Sequence, residues 1–242
     1  MAKVQANGIT IEVEEMGSPA DPPILLIMGL NAQLTVWPEG FCRGLADRGH
    51  QVVRFDNRDV GLSTWLDDQP PGDPIEALFT VLDGGTIEAP YSLADMADDA
   101  VGVLDALGLG SAHIVGASLG GMIGQHVVTR HPDRVRTFTS IMSMPRFIPM
   151  ELEVALSLQP LDVDPHDREA IVAAGIEAAR LIAGTGYPFD EAYVRREALA
   201  NLDRAWNPDG GVRQMMAALA DGDRRPGRDP ADDVSGALLR SP

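Results

Sequence analysis

A single serine set between glycines, Gly116-Ala117-Ser118-Leu119-Gly120-Gly121, constrains this chain more than any other feature. An apolar run at 112–115 leads into it, and a helical pattern at 122–129 leads out. A strand that turns directly into a helix leaves no room for Cβ atoms beside the pivot residue. Glycines therefore stand two residues before and two after Ser118. The turn holds the serine in a strained backbone conformation and pushes its hydroxyl out of the sheet. The following helix aims its first N–H groups and its positive dipole end at the same spot.

The rest of the chain supplies the sheet that such a turn needs. Asn7-Gly8 is a tight-hairpin dipeptide between segments 3–6 and 10–15, the second of which alternates apolar with charged residues as a half-exposed strand does. Residues 24–28 are continuously apolar, as a strand buried on both faces must be. A helix is expected over 37–47, a strand over 51–55 and a loop over 67–74. Ser92 caps a helix running to Leu107, with Asp95 at the capping-box position, and a final strand is expected over 137–142. Alternating strands and helices mean a mostly parallel sheet with helices on both faces. Beyond Pro145 the strands disappear. Helical stretches follow at 151–158, 167–183, 190–202 and 211–220, a pattern that reads as a lid over the ligand crevice.

Composition narrows the function. A formal net charge of −17 argues against a nucleic-acid partner, whose phosphates need a basic face, and disfavours anionic membranes. The one cysteine, Cys42, excludes an intrachain disulfide and reads as a buried, inert thiol. The amino-terminal residues carry no apolar signal core, so a cytoplasmic location is expected. No metal cluster or phosphate-binding loop is visible in the sequence, and no cofactor is implied.

Three segments together resemble the α/β-hydrolase superfamily, over residues 1 to about 222. One is Ile24-Leu25-Leu26-Ile27-Met28-Gly29-Leu30. The second is Asp56-Asn57-Arg58-Asp59-Val60-Gly61-Leu62-Ser63, similar to the family's D-x-R-G-x-G-x-S loop with Asp59 in place of the first glycine. The third is the serine turn, the family's nucleophile elbow, followed by His131-Pro132-Asp133-Arg134-Val135. Met28-Gly29, Asn31, Trp37-Pro38 and Gly184-Thr185-Gly186-Tyr187-Pro188-Phe189-Asp190 are similar to the methylesterases that act on aromatic polyketides. The resemblance implies an α/β-hydrolase core over 1–144, a helical lid over 145–220 and an atypical tail over 221–242.

It also implies roles. Ser118 would be the nucleophile, attacking a small apolar carboxylic ester to form an acyl-enzyme. The backbone N–H groups of Leu30 and Leu119 would hold the oxyanion. Gly29, Asn31, Met144 and Tyr187 are candidate substrate contacts. Asp56, Arg58 and Asp59 form a charged cluster that the resemblance makes structural. Relatives that open epoxides or remove halides carry Asp where Ser118 stands, which disfavours that chemistry.

The family's acid and histidine follow its seventh and eighth strands, and the sequence after Asp221 offers neither strand. Its Arg, Pro, Gly, Asp and Ala mixture is what a shifted frame of a GC-rich gene gives, so a truncated or frame-shifted tail is expected. His50, His113, His126 and His131 read as ordinary core or surface residues, and His166 is the remaining base candidate. Two functional readings follow: a serine esterase, or an incomplete hydrolase that keeps only the pocket. Without the last two strands the sixth would be an open edge, which invites self-association.

Overall fold

The hairpin dipeptide does what its composition demands. In the computed structural model, which describes residues 1–145, 163–164 and 166–222, Asn7 and Gly8 take φ of 46° and 80°. They fold strand β1 (Ala2–Ala6) antiparallel onto β2 (Ile9–Met16), with Ala6 opposite Ile9. Four further strands follow: β3 (Pro23–Ile27), β4 (Gln51–Phe55), β5 (Ala112–Ala117) and β6 (Val135–Ile141). Among the described residues these make a six-stranded sheet in the order β1-β2-β4-β3-β5-β6. The β2–β4 pair is antiparallel, and the β3–β4, β3–β5 and β5–β6 pairs are parallel.

Strand β3 is buried along its whole length because it feeds both layers. Leu25 and Ile27 join Val53, Phe55 and Ile114 in the cluster under helices α3 (Leu93–Ala106) and α4 (Leu119–Arg130). Ile24 and Leu26 face the other way, with Val52, Trp37 and Cys42, under α1 (Glu39–Ala46). Burying each such side chain contributes about 1.5–3 kcal/mol. Cys42 is fully buried, and burial pushes its thiol pKa up, as an inert thiol requires. The capping box of α3 is present: Asp95 N–H donates to Ser92 Oγ at 3.1 Å, and Ser92 N–H donates to Asp95 Oδ2 at 2.8 Å.

Helix α2 (Pro74–Leu82) is an addition to the sequence reading. Asp73 caps it, accepting from the N–H groups of Ile75 and Glu76, and Pro74 occupies the first turn. Among the described residues three helices follow the sheet: α5 (Arg168–Ile182), α6 (Glu191–Arg204) and α7 (Pro208–Ala220). They match three of the expected helices. The expected helix at 151–158 and residues 223–242 of the tail lie outside the described residues. Helix α7 is not a loose cover. Ala217 joins the main core cluster, and Met216 and Leu219 pack with Ala77 and Leu78 of α2. Among the described residues, no helix is long and apolar enough to cross a membrane, and β6 pairs only with β5.

Candidate active site

Ser118 sits between β5 and α4 at φ 53° and ψ −122°, a conformation that L residues rarely adopt and one that costs of order 1–3 kcal/mol. Its neighbours allow the turn only as glycines. A Cβ on Gly116 would lie 2.2 Å from the Gly120 carbonyl oxygen, and one on Gly120 would lie 2.1 Å from the Ile27 carbonyl oxygen. Ser118 N–H donates to Ile141 O at 2.8 Å, which ties the turn to the end of β6. The serine is solvent-exposed.

The first N–H groups of a helix have no partner within it. Here Gly121 and Met122 turn back onto Ser118 O, at 2.8 and 3.3 Å. The Leu119 N–H keeps no acceptor among the described residues, and the same holds for the Leu30 N–H in the loop after β3. That loop touches the serine. A Cβ on Gly29 would stand 3.1 Å from Ser118 Cβ and 3.6 Å from Ser118 Oγ. The structure thus brings Ser118, Leu119, Gly29 and Leu30 together.

The loop after β4 holds this region in place. Asn57 Nδ2 donates to Met28 O at 2.9 Å. Asp56, fully buried, accepts from Leu34 N–H at 2.7 Å and from Leu62 N–H at 2.9 Å, and pairs with Arg204 Nη1 of α6 at 2.7 Å. Asp59 stands where the family pattern has glycine, and it takes φ 67°, the left-handed region that favours glycine. Its carboxylate accepts from Arg213 Nε at 2.9 Å, from Arg213 Nη2 at 2.8 Å and from Leu66 N–H at 2.7 Å. Arg58 makes two hydrogen bonds to Asp99, at 2.6 and 2.7 Å. Burial nevertheless keeps the Asp99 carboxyl above the usual carboxylate range. The charged cluster ties β4 to α3, α6 and α7.

Sequence reasoning did not find the partners on α6 and α7. The signal available was the polar pair Arg213-Gln214 within the apolar stretch Val212 to Leu219. Both side chains are buried.

Four of the five histidine rings hydrogen-bond to groups other than Ser118. His50 Nδ1 lies 3.3 Å from Pro22 O, His113 Nδ1 2.8 Å from Thr137 Oγ1, His126 Nε2 2.8 Å from Asp221 Oδ1 and His131 Nε2 2.7 Å from Asp98 Oδ1. His166 is exposed in a turn just before Asp167, the residue that caps α5. Tyr187 is 89% exposed between α5 and α6. Met144 O accepts from Gln125 Nε2 at 3.2 Å, close after β6.

Comparison with known proteins identifies the fold and the family. The family model for the alpha/beta hydrolase fold matches residues 22–180. The rhodomycin D methylesterase DauP of Streptomyces sp. (strain C5) is 33% identical over 218 residues, 81% of this chain and 67% of that protein. The rhodomycin D methylesterase DnrP of Streptomyces peucetius is 32% identical over 231 residues, 87% of this chain and 72% of that protein. Among solved structures, the esterase EaEST from Exiguobacterium antarcticum superposes with a TM-score of 0.64 at 19% identity, over 92% of this chain and 74% of its own. The strand-to-helix turn at Ser118 therefore stands in a hydrolase sheet, and the chain belongs to the alpha/beta hydrolase fold family, as an ester hydrolase of that class.

Proposed function

We propose that this chain cleaves carboxylic esters through an acyl-enzyme on Ser118, and that its substrate is the methyl ester of an aromatic or polyketide acid. The observation that carries the reading is the strained φ of 53° at Ser118, beside the Leu119 and Leu30 N–H groups that keep no acceptor among the described residues. Ser118 Oγ attacks the ester carbonyl. The oxygen that gains charge lies against the N–H groups of Leu30 and Leu119, which are fixed before reaction and need no reorganisation. Methanol leaves, and water then releases the acid. Gly29, Asn31, Met144 and Tyr187 are the proposed substrate contacts, and the two methylesterase relatives support the methyl ester. The core over 1–144, the lid over 145–220 and a cytoplasmic location complete the proposal.

The serine proton needs an acceptor. His166 is the histidine whose ring holds no hydrogen bond among the described residues, and it is the proposed base. A second reading has its own support. With four histidines anchored elsewhere and His166 exposed, the chain could keep a reactive serine and no means of turnover, as an incomplete hydrolase. Hydrolysis of p-nitrophenyl butyrate by the chain beside Ser118→Ala separates these. Turnover that vanishes in the variant supports the esterase, and its further loss in His166→Ala supports the base. A single stoichiometric burst supports the incomplete enzyme. Equal rates in both proteins overturn the role of Ser118.

A further inference from the structure

The loop that carries Leu30 is held from both ends, and one of the two holds comes from the other end of the chain. At its start, Asn57 Nδ2 donates to Met28 O. At its end, Asn31 N–H donates to Gln214 Oε1 at 2.8 Å, across 183 residues. Gln214 is fully buried, and its other end is used as well: Nε2 donates to Arg58 O at 2.9 Å. One amide thus bridges the loop after β3 to the loop after β4, from helix α7. Its flip state follows from this, because an N–H faces the oxygen and a carbonyl faces the nitrogen.

Asn31 needs such a hold. It takes φ 52°, a left-handed conformation for a residue with a side chain. Helix α7 also presses on it. A Cβ on Gly211 would come within 2.9 Å of Asn31 Cγ, so glycine there lets the helix seat directly on the loop. Leu30 lies between Gly29, where an added Cβ would stand 3.6 Å from Ser118 Oγ, and Asn31, which Gln214 holds, so the peptide that carries the Leu30 N–H is next to the one that Gln214 fixes.

We infer that Gln214 is a positioning residue. By accepting from Asn31 N–H and donating to Arg58 O, it fixes the direction of the Leu30 N–H toward the oxyanion formed at Ser118. Seating of α7 and competence of the oxyanion site are then one event. This rests on the proposed reading of Leu30 and Ser118.

The test reads the clamp and its consequence separately. A p-nitrophenyl alkylphosphonate reports on Ser118 without needing turnover: the Oγ–P bond forms, the serine proton passes to solvent and one p-nitrophenolate leaves per chain. Hydrogen exchange of the peptide spanning 28–34 reports on the Asn31 amide. In Gln214→Leu we expect that peptide to exchange faster and phosphonylation to slow by at least about tenfold, toward the 10²–10³ loss of an oxyanion donor removed outright. Gln214→Glu keeps the acceptor for Asn31, and only its protonated form can donate to Arg58 O. Its rate relative to the native chain should therefore approach one in acid and fall as pH rises. Should Gln214→Leu fail to fold, Gly211→Ala carries the same expectation, because its Cβ displaces Asn31. Exchange or phosphonylation at the native rate in these variants, or a flat pH ratio for Gln214→Glu, overturns the role of Gln214 alone. A native chain inert to the phosphonate overturns the reading of Ser118 and this inference with it.

Discussion

Arg213 grips Asp59 with two hydrogen bonds, Nε to Oδ2 at 2.9 Å and Nη2 to Oδ1 at 2.8 Å, and both side chains are almost wholly buried. Removing one partner of such a pair leaves a charge with neither water nor counter-ion. Arg213→Met is expected to cost about 3–5 kcal/mol in urea unfolding. The double variant Asp59→Gly with Arg213→Met should cost clearly less, because glycine suits φ 67° and no buried charge is left behind. A double variant as unstable as the sum of its singles would show that the pair is not the coupled unit described.

The backbone of Ser118 gives a prediction independent of catalysis. At φ 53°, alanine keeps the strain and glycine relieves it. Ser118→Gly should be more stable than Ser118→Ala by about 1 kcal/mol, after the extra freedom of glycine in the unfolded chain is subtracted. Urea midpoints of the two variants check this, and equal midpoints would count against strain at the turn.

Residues near one another in sequence made much of this fold legible. The glycines around Ser118, the Asn7-Gly8 turn, the Ser92–Asp95 cap and the buried run of β3 each encode their structure within a few positions. The D-x-R motif likewise marked a structural loop. Its partners Arg204, Arg213 and Gln214 were not legible, because nothing local in a helix says which distant group in the sequence it will meet; Asp59 and Arg213 lie 154 apart. Helix α2 was legible and missed, since Asp73-Pro74 is a helix-start signal. The elbow showed where chemistry would sit, but histidine spacing alone could not show that His126 and His131 are engaged by Asp221 and Asp98.

His113 sets a pH dependence. Burial, then the charge of Arg136, then His50, hold its imidazole below the ordinary histidine value. Between that ordinary value, about 6.5, and the lower folded one, the unfolded chain binds more protons. The contribution of a neutral His113 is therefore full above about pH 6.5 and is lost as pH falls through that window. Melting temperatures of the native chain and His113→Gln should converge as the buffer is taken from pH 8 to pH 5. A constant gap would refute the assignment.

The outer edge of β6 offers unpaired backbone groups among the described residues, and its side chains Arg136, Thr137, Thr139 and Ser140 are exposed. Arg136, near its start, is the strand's one charge, and an edge with no charge along the rest of its length invites pairing with another chain. Sedimentation velocity is expected to show concentration-dependent self-association that Thr139→Lys weakens. A native chain that sediments as a monomer at every concentration would rule this out.

The distance between Asp59 and Arg213 also has a meaning in time. A ribosome adding about 5–20 residues per second needs on the order of ten to thirty seconds to travel from one to the other. During that interval strands β5 and β6 join β1 to β4, while two carboxylates, Asp56 and Asp59, stand without arginines that have not yet been made. Neither carboxylate can leave water until they arrive. The sheet can form early, but the loop beside the serine can close only when α6 and α7 emerge, so the site is the last part of the described fold to be born.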